Sequence, residues 1–176
     1  MFHHQVLVDV LEEQTRNQET VVSIDLSSKV NDSHRLRHIR GIGLESFLTI
    51  ETLDLSGNII TSMEGLQDLK NLKYLNMSRN SIKHIEYIFE LKKLETLELS
   101  GNFISNLPSE MAELEALQVL DLSGNSITLL KELSYLNGLF NLHTCTFSTN
   151  PIASLVAYRD FAVNFIRSLE RLDGSI

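Results

Sequence analysis

Serine, aspartate and histidine side chains recur at regular intervals in this sequence, and these residue types together could form a hydrolase site. A serine recurs at the equivalent position of six similar segments, as Ser27, Ser56, Ser78, Ser100, Ser123 and Ser148. In four of the six segments an acidic residue stands two positions before the serine. A catalytic triad also needs a histidine beside both groups. Only His143 falls near this row, and it lies just outside the last strand-like segment. The pattern therefore does not predict a nucleophile.

Histidine pairs are the residues that could hold a metal. The segment "HRLRH" places His34 and His38 four residues apart, but Arg35 stands where a zinc protease motif has its glutamate, and the sequence supplies no third ligand. His3 and His4 are typical of a solvated terminus. Glycines occur singly in turns, without the loop that cradles a phosphate. We predict a protein that is not an enzyme and has no metal or cofactor.

Charge and composition restrict the partners and the compartment. The 176 residues carry a formal net charge of −8, whereas phosphate binding needs a basic face, so we expect no nucleic acid and a basic partner. The single cysteine, Cys145, cannot form an internal disulfide and occupies a leucine slot, which is typical of a small buried apolar residue. No stretch approaches the roughly 18 apolar residues of a membrane span. We expect no membrane partner and a cytoplasmic or nuclear location.

One eleven-residue phrase is written several times and predicts the fold. It reads "IETLDLSGNII" at 50–60, "LKYLNMSRNSI" at 72–82, "LETLELSGNFI" at 94–104, "LQVLDLSGNSI" at 117–127 and "LHTCTFSTNPI" at 142–152. The asparagines of these phrases are Asn58, Asn80, Asn102, Asn125 and Asn150. A period in the twenties is the signature of a solenoid. Each phrase alternates apolar and polar residues like a short strand, so the strands should stack in parallel. The asparagines should form a ladder that satisfies backbone groups.

The second half of each unit predicts the opposite side of the solenoid. Its apolar residues step by three, as at Ile60, Met63, Leu66, Leu69 and Leu72. This is the repeat of a 3₁₀ helix. The unit between Asn125 and Asn150 is three residues longer, and its apolar series gains one further step. We expect a convex side rich in 3₁₀ turns, on which insertions match the local geometry.

These phrases resemble leucine-rich repeats, L-x-x-L-x-L-x-x-N-x-I, over roughly residues 20–176. The 22-residue period is similar to that of a subclass found in a phosphatase 1 regulatory subunit and in centrosomal and ciliary proteins. The segment 150–176 looks like the C-terminal cap of that subclass, with a helix opening at Tyr158 and Arg159. The resemblance implies an α/β solenoid: a right-handed superhelix with a concave parallel sheet, a convex side of 3₁₀ and short helices, and helical caps at both ends. We assign 1–19 to an N-terminal cap, 20–149 to about five or six repeats, and 150–176 to a C-terminal cap.

The exposed strand positions predict the binding site. The concave face should carry an acidic column, one large aromatic residue beside Arg79, and His143 at its margin. The predicted partner-binding residues are Asp25, Asp54, Tyr74, Asn76, Arg79, Glu98, Asp121 and His143. Tyrosine and arginine are enriched at binding hot spots. We predict a protein-interaction adaptor or scaffold that accepts a basic or amphipathic segment, in a centrosomal, ciliary, cytoskeletal or phosphatase-regulatory setting if the resemblance extends to function.

Two alternatives use the same face. In a self-association module, the acidic trough of one chain would meet basic side chains such as Arg37, Lys92 or Lys93 of another, giving a homo-oligomer. In the other, the chain would be an acidic histone-binding or basic-protein-binding module, although such proteins usually carry a long acidic tail that this sequence lacks.

Overall fold

A single parallel sheet of short strands is the main feature of the computed structural model, which describes residues 22–27 and 35–175. Seven strands lie in chain order within these ranges. They are β1 Ser23–Asp25, β2 Thr52–Asp54, β3 Tyr74–Asn76, β4 Thr96–Glu98, β5 Val119–Asp121, β6 Thr144–Thr146 and β7 Arg171–Leu172. The predicted α/β solenoid with a parallel concave sheet is confirmed. The predicted cap at 1–19 and most of the polar loop at 30–36 lie outside the described residues, as do His3, His4 and His34.

The register of the sheet places equivalent residues of each repeat side by side. Asp54 pairs with Asn76, Asn76 with Glu98, and Glu98 with Asp121. The middle residue of each three-residue strand is buried, because successive side chains of a strand point to opposite faces. The flanking residues therefore form two columns on the exposed face, as the phrase predicts.

The asparagine ladder is present and connects neighbouring coils. The side-chain amide of Asn80 donates to the carbonyls of Leu55 and Met77, both at 3.0 Å, and its oxygen accepts a 2.9 Å bond from the N–H of Ile60. Asn58, Asn102, Asn125 and Asn150 make the equivalent bonds. All five are buried. Each one satisfies backbone groups that would otherwise be buried without partners.

The convex side follows the predicted step of three. The N–H groups of Leu66, Leu69 and Leu72 donate to the carbonyls three residues earlier, at 3.0–3.2 Å. Full 3₁₀ helices cover Leu44–Ser46, Ser109–Glu113, Leu130–Leu136 and Pro151–Ser154. The longest of them lies in the unit with the three-residue insertion. The apolar series faces inward because 3₁₀ side chains eclipse every third residue.

Glu132 is an exception on this side, because a carboxylate lies in the core. It is 1% exposed, and its Oε2 accepts a 2.8 Å hydrogen bond from the backbone N–H of Leu107, one coil earlier. Leu130, which the periodic series places inward, is only partly buried. The carboxylate supplies an acceptor for a buried N–H group, much as the asparagines do on the other side of the coil.

The first long unit joins the same core. Leu36, at the end of the polar segment 30–36, is 7% exposed, and its N–H donates a 2.8 Å bond to the side-chain oxygen of Asn58. Ile39, Ile42 and Leu44 are also buried. The residues from 35 onward therefore pack in the core of the solenoid and do not form an insertion outside it.

The C-terminal segment adds a helix and a strand. Helix α1 spans Tyr158–Phe165, so a helix opens at Tyr158 as predicted. Strand β7 pairs with β6 and was not expected, because the segment lacks the repeated phrase. Its end folds back through a bridge between Leu172 and Ser175, which covers the sheet edge. Ser168 donates from its hydroxyl toward the carbonyls of Leu139 and Leu142, at 2.9 and 2.8 Å.

Candidate functional site

The predicted polar row lies along the exposed face, where the strands end. The carboxylates of Asp54 and Asp121 each accept a 2.8 Å hydrogen bond from the backbone N–H two residues later, and Asn76 accepts a 3.0 Å bond in the same way. Such bonds form Asx turns. These side chains therefore shape the turn after their strands, a role that was not predicted although aspartate and asparagine favour such turns. Each carboxylate keeps a second oxygen that this bond does not use.

Tyr74 and Glu98 form the centre of the face. They lie on the neighbouring strands β3 and β4, and the Tyr74 hydroxyl interacts with the Glu98 carboxylate. Burial of the hydroxyl, followed by the effects of Glu98 and Asp54, raises the pKa of Tyr74 to about 12. Tyr74 therefore keeps its proton at neutral pH and can act as a hydrogen-bond donor.

The negative charges of the row repel one another. Burial raises the pKa of Glu98 above its ordinary value, the Tyr74 hydroxyl opposes this shift, and the carboxylates of Asp121 and Asp54 add to it. All three carboxylates are half-buried. Ion pairs of the described residues involve Glu51, Glu64, Glu90 and Glu113, and Asp54, Glu98 and Asp121 take part in none of these pairs. These ion pairs therefore do not balance the negative charge of Asp54, Glu98 and Asp121.

Lys73, beside Tyr74 in the sequence, belongs to a separate pair. Its Nζ lies 2.8 Å from Oε2 of Glu51 on the preceding coil. The hydrogen bond to Glu51 raises the pKa of Lys73, burial opposes it, and the charges of Glu51 and Glu95 add to the rise. The Lys73 side chain is thus directed toward Glu51 and Glu95, which precede their strands. It is not directed toward the acidic row at the ends of the strands.

Arg79 lies on the other margin of the sheet, in a shallow polar cavity of about 360 Å³. Asn76 and Glu98 also line this cavity, with small residues that include Ser56 and Gly57. Its walls are low because serine and glycine follow most of the strands. The cavity crosses the first four strands of the sheet at their carboxyl ends.

The structure brings together most, but not all, of the predicted site. Tyr74, Asp54, Glu98 and Asp121 form one electrostatic cluster, and the cavity adds Asn76 and Arg79 to it. Asp25 lies on β1, in register with Asp54 of β2, and continues the row to the β1 edge of the sheet. His143 precedes β6, and its N–H donates to the carbonyl of Gln118. It belongs to the same margin as Lys73 and lies outside the cavity.

Other types of site find no support in the residues that the structure describes. No group of three or more histidine, cysteine, aspartate or glutamate residues among them could hold a metal ion. Cys145 is fully buried, and burial raises the pKa of its thiol well above the ordinary value. Over the same residues, no helix is both long and apolar enough to cross a membrane.

Family models agree with this architecture. Residues 49–104 match the model described as Leucine rich repeat, and residues 92–135 match the model of Leucine Rich repeats in two copies. No curated protein gives a significant match to the chain. The sheet, the asparagine ladder and the 3₁₀ side together are those of a leucine-rich repeat solenoid.

Many solved structures share the fold. A chain of the SNF/U2A′ complex of Drosophila melanogaster is 28% identical, with a TM-score of 0.65; the match covers 68% of this chain and 70% of that one. Internalin C2 of Listeria monocytogenes is 25% identical, with a TM-score of 0.66 and coverage of 86% and 60%. A leucine-rich repeat protein of Leptospira interrogans gives 25% identity, a TM-score of 0.66 and coverage of 86% and 36%. The chain thus spans 36–60% of the length of the two bacterial proteins.

Proposed function

We propose that this chain is a non-enzymatic protein-interaction domain whose concave face binds a basic or amphipathic segment of another protein. The observation that carries the proposal is the row of Asp54, Glu98 and Asp121, which takes part in none of the ion pairs described above, and in which burial and then repulsion from Asp121 and Asp54 raise the pKa of Glu98. A lysine or arginine of a partner would relieve this repulsion. Complementary charge increases both the rate and the selectivity of association.

Tyr74 supplies what the carboxylates lack. It is half-buried, lies beside Glu98 and keeps its hydroxyl proton. Tyrosine combines a large apolar surface with a hydrogen-bonding end, which makes it effective at interfaces. The aliphatic part of a lysine or arginine could pack on the ring while its charge reaches the row. The two features together favour a partner segment that is basic and partly apolar.

The structural neighbours support the same class of function. Leucine-rich repeat folds typically act as interaction modules, and exposed solenoid faces are their usual binding surfaces. One neighbour comes from the SNF/U2A′ complex, so that protein works within an assembly. We extend only this general role to the chain, and a cytoplasmic or nuclear setting for it remains part of the proposal.

Self-association is a weaker candidate on the structure. Lys92 Nζ lies 3.0 Å from Oε2 of Glu113, and Lys93 donates a 2.8 Å bond to the side-chain oxygen of Asn71. Two of the basic groups that would enter the acidic trough of a second copy therefore already have partners on their own chain. A histone-type partner is one case of the basic partner already proposed.

Affinity capture with matched variants tests the proposal. The triple variant Asp54→Lys, Tyr74→Ala, Glu98→Lys should fold and lose the bound partner. The control variant Glu86→Lys, Glu110→Lys makes the same two charge reversals at exposed positions on the convex side, and it should retain the partner. Equal capture by the triple variant and the wild type would show that the concave face is not the binding site.

A further inference from the structure

Arg79 has a backbone conformation that side chains other than glycine rarely adopt. Its φ is 56°, in the left-handed region. The equivalent positions of other repeats are Gly57, Gly101 and Gly124, with φ between 63° and 71°. Glycine takes this conformation without the clash that a Cβ introduces. One repeat thus replaces the suitable residue with a long cation.

Thr149 provides a comparison, because it occupies the same position one repeat before the C-terminal segment. Its φ is 57°, and its hydroxyl donates a 2.6 Å hydrogen bond to the carbonyl of Ser148. The local bond accounts for the threonine. The backbone N–H of Arg79 donates a 2.7 Å bond to the carbonyl of Ser100, as the equivalent glycines do to their next coil, but its side chain makes no hydrogen bond or ion pair with any residue that the structure describes. No side-chain bond therefore compensates its strain. Uncompensated strain of this kind concentrates at functional sites.

The surroundings of Arg79 leave its charge available. It is exposed, and it lies in the polar cavity with Glu98 and the small residues Ser56 and Gly57. Its Cγ would lie 3.5 Å from a Cβ built on Gly101, so its stem rests over the glycine of the next repeat. The cation therefore stands beside the acidic row without being paired to it.

We propose that Arg79 binds a carboxylate of the same partner segment whose basic residues contact the acidic row. This inference rests on the proposed function and specifies the partner: a segment with a glutamate or aspartate close to its lysines or arginines. The guanidinium forms paired, charge-assisted hydrogen bonds with a carboxylate. A partner with basic residues alone would be repelled at this margin, so Arg79 adds selectivity.

The dimensions of the face limit the spacing within the segment. From β2 to β5 there are three strand steps of roughly 4.8 Å, or roughly 14 Å in all. An extended chain rises about 3.3 Å per residue, so about four or five residues cover the row. The acidic residue of the partner should therefore lie within a few positions of a basic one.

Selection from a library of random twelve-residue peptides on the wild-type chain tests this inference. Recovered peptides should combine basic residues with a nearby acidic one. Arg79→Gly should weaken their binding on the order of tenfold, the size expected for loss of a charge-assisted pair. It should also raise the denaturation midpoint, because glycine suits the left-handed backbone. Thr149→Gly makes the same backbone change without removing a cation, and it should leave binding unchanged.

Changing the acidic residue of the peptide to glutamine, alone and together with Arg79→Gly, completes a double-mutant cycle. It should weaken binding to the wild type and have little further effect on Arg79→Gly. If Arg79→Gly binds the peptides as tightly as the wild type, or if they contain no acidic residue, this inference is wrong while the docking face stands. If no peptide is recovered, or if Asp54→Lys, Glu98→Lys leaves binding unchanged, the proposed function itself fails.

Discussion

The hydroxyl of Tyr158 donates a 2.9 Å hydrogen bond to Oδ2 of Asp173, which ties helix α1 to the end of the sheet. Oδ1 of Asp173 accepts a second bond, of 2.8 Å, from the N–H of Phe147. Tyr158 is 3% exposed, and burial together with this bond raises the pKa of its hydroxyl well above the ordinary value. One carboxylate thus joins the helix, the last strand and the preceding coil.

Removal of this carboxylate should loosen the C-terminal end. Asp173 has φ 53°, so Asp173→Gly deletes the side chain without adding backbone strain. The N–H of Phe147 and the hydroxyl of Tyr158 would lose their acceptor, and we expect the free energy of unfolding to fall by about 1–3 kcal/mol. Urea denaturation measures the loss. Asp160→Ala, at an exposed position of α1, is the control, and an equal effect of the two variants would contradict this role.

The asparagine ladder predicts a specific sensitivity at its centre. Asn80→Ala removes the amide bonds to the carbonyls of Leu55 and Met77, a longer one to Ser78, and one accepted bond, at a residue that is 5% exposed. The backbone groups of Leu55, Met77 and Ile60 would lose this partner, so we expect a loss of roughly 1–3 kcal/mol in the free energy of unfolding. Asn137→Ala changes an exposed asparagine and should have little effect. An unchanged denaturation midpoint for Asn80→Ala would remove the ladder from the account of stability.

Two variants of Glu132 distinguish its role as a hydrogen-bond acceptor from the effect of its charge. Glu132→Gln keeps an oxygen for the N–H of Leu107, whereas Glu132→Ala leaves this buried group unpaired. We expect the alanine variant to lose about 1–3 kcal/mol and the glutamine variant to lose less. Thermal unfolding at fixed pH compares them, with Lys131→Ala as an exposed control. If glutamine costs as much as alanine, the hydrogen bond to Leu107 is not the reason for this residue.

The repulsion at Glu98 should appear in the pH dependence of stability. A carboxyl group whose pKa is raised in the folded state contributes stability that is full below its unfolded pKa and is lost as pH rises through the folded pKa. The reference value is 4.5, and burial and the neighbouring carboxylates raise it. Glu98→Gln should therefore be more stable than the wild type at neutral pH, and this advantage should shrink as pH falls through the folded pKa toward 4.5 and be absent well below that value. Denaturation across pH, with exposed Glu115→Gln for comparison, would contradict this if the advantage grew on acidification.

The repeated phrase predicts the fold well because its periodicity is set directly by burial. Alternation around Leu53 or Leu97 indicates a strand, and the step of three from Ile60 indicates 3₁₀ turns. The pattern does not predict strand β7, because two residues are too few to show an alternation. Glu132 escapes it because an inward carboxylate interrupts an apolar series, and its partner lies 25 residues earlier.

The candidate site was predictable in position but not in energetics. Register alone places Asp54, Asn76 and Glu98 side by side, with Tyr74 two residues before Asn76 in the adjacent exposed column, once the strands stack in parallel. The sequence does not give the burial of each carboxylate, so it does not predict which of them has a raised pKa. The strain at Arg79 could have been noticed from the sequence, because "SRN" stands where three other repeats have "SGN". Its lack of an ion pair required coordinates.

Site-specific photo-crosslinking tests the central claim most directly. A photoreactive phenylalanine analogue replaces Tyr74 on the concave face in one variant and Tyr87, an exposed tyrosine on the convex side, in the other. The two substitutions are chemically alike, so a difference in crosslinking reports the face that a partner covers. We predict a crosslinked protein at position 74 whose attached peptide carries basic residues, lost when Asp54→Lys and Glu98→Lys are added, and none at position 87. Crosslinking at position 87 with none at position 74 would contradict concave-face binding.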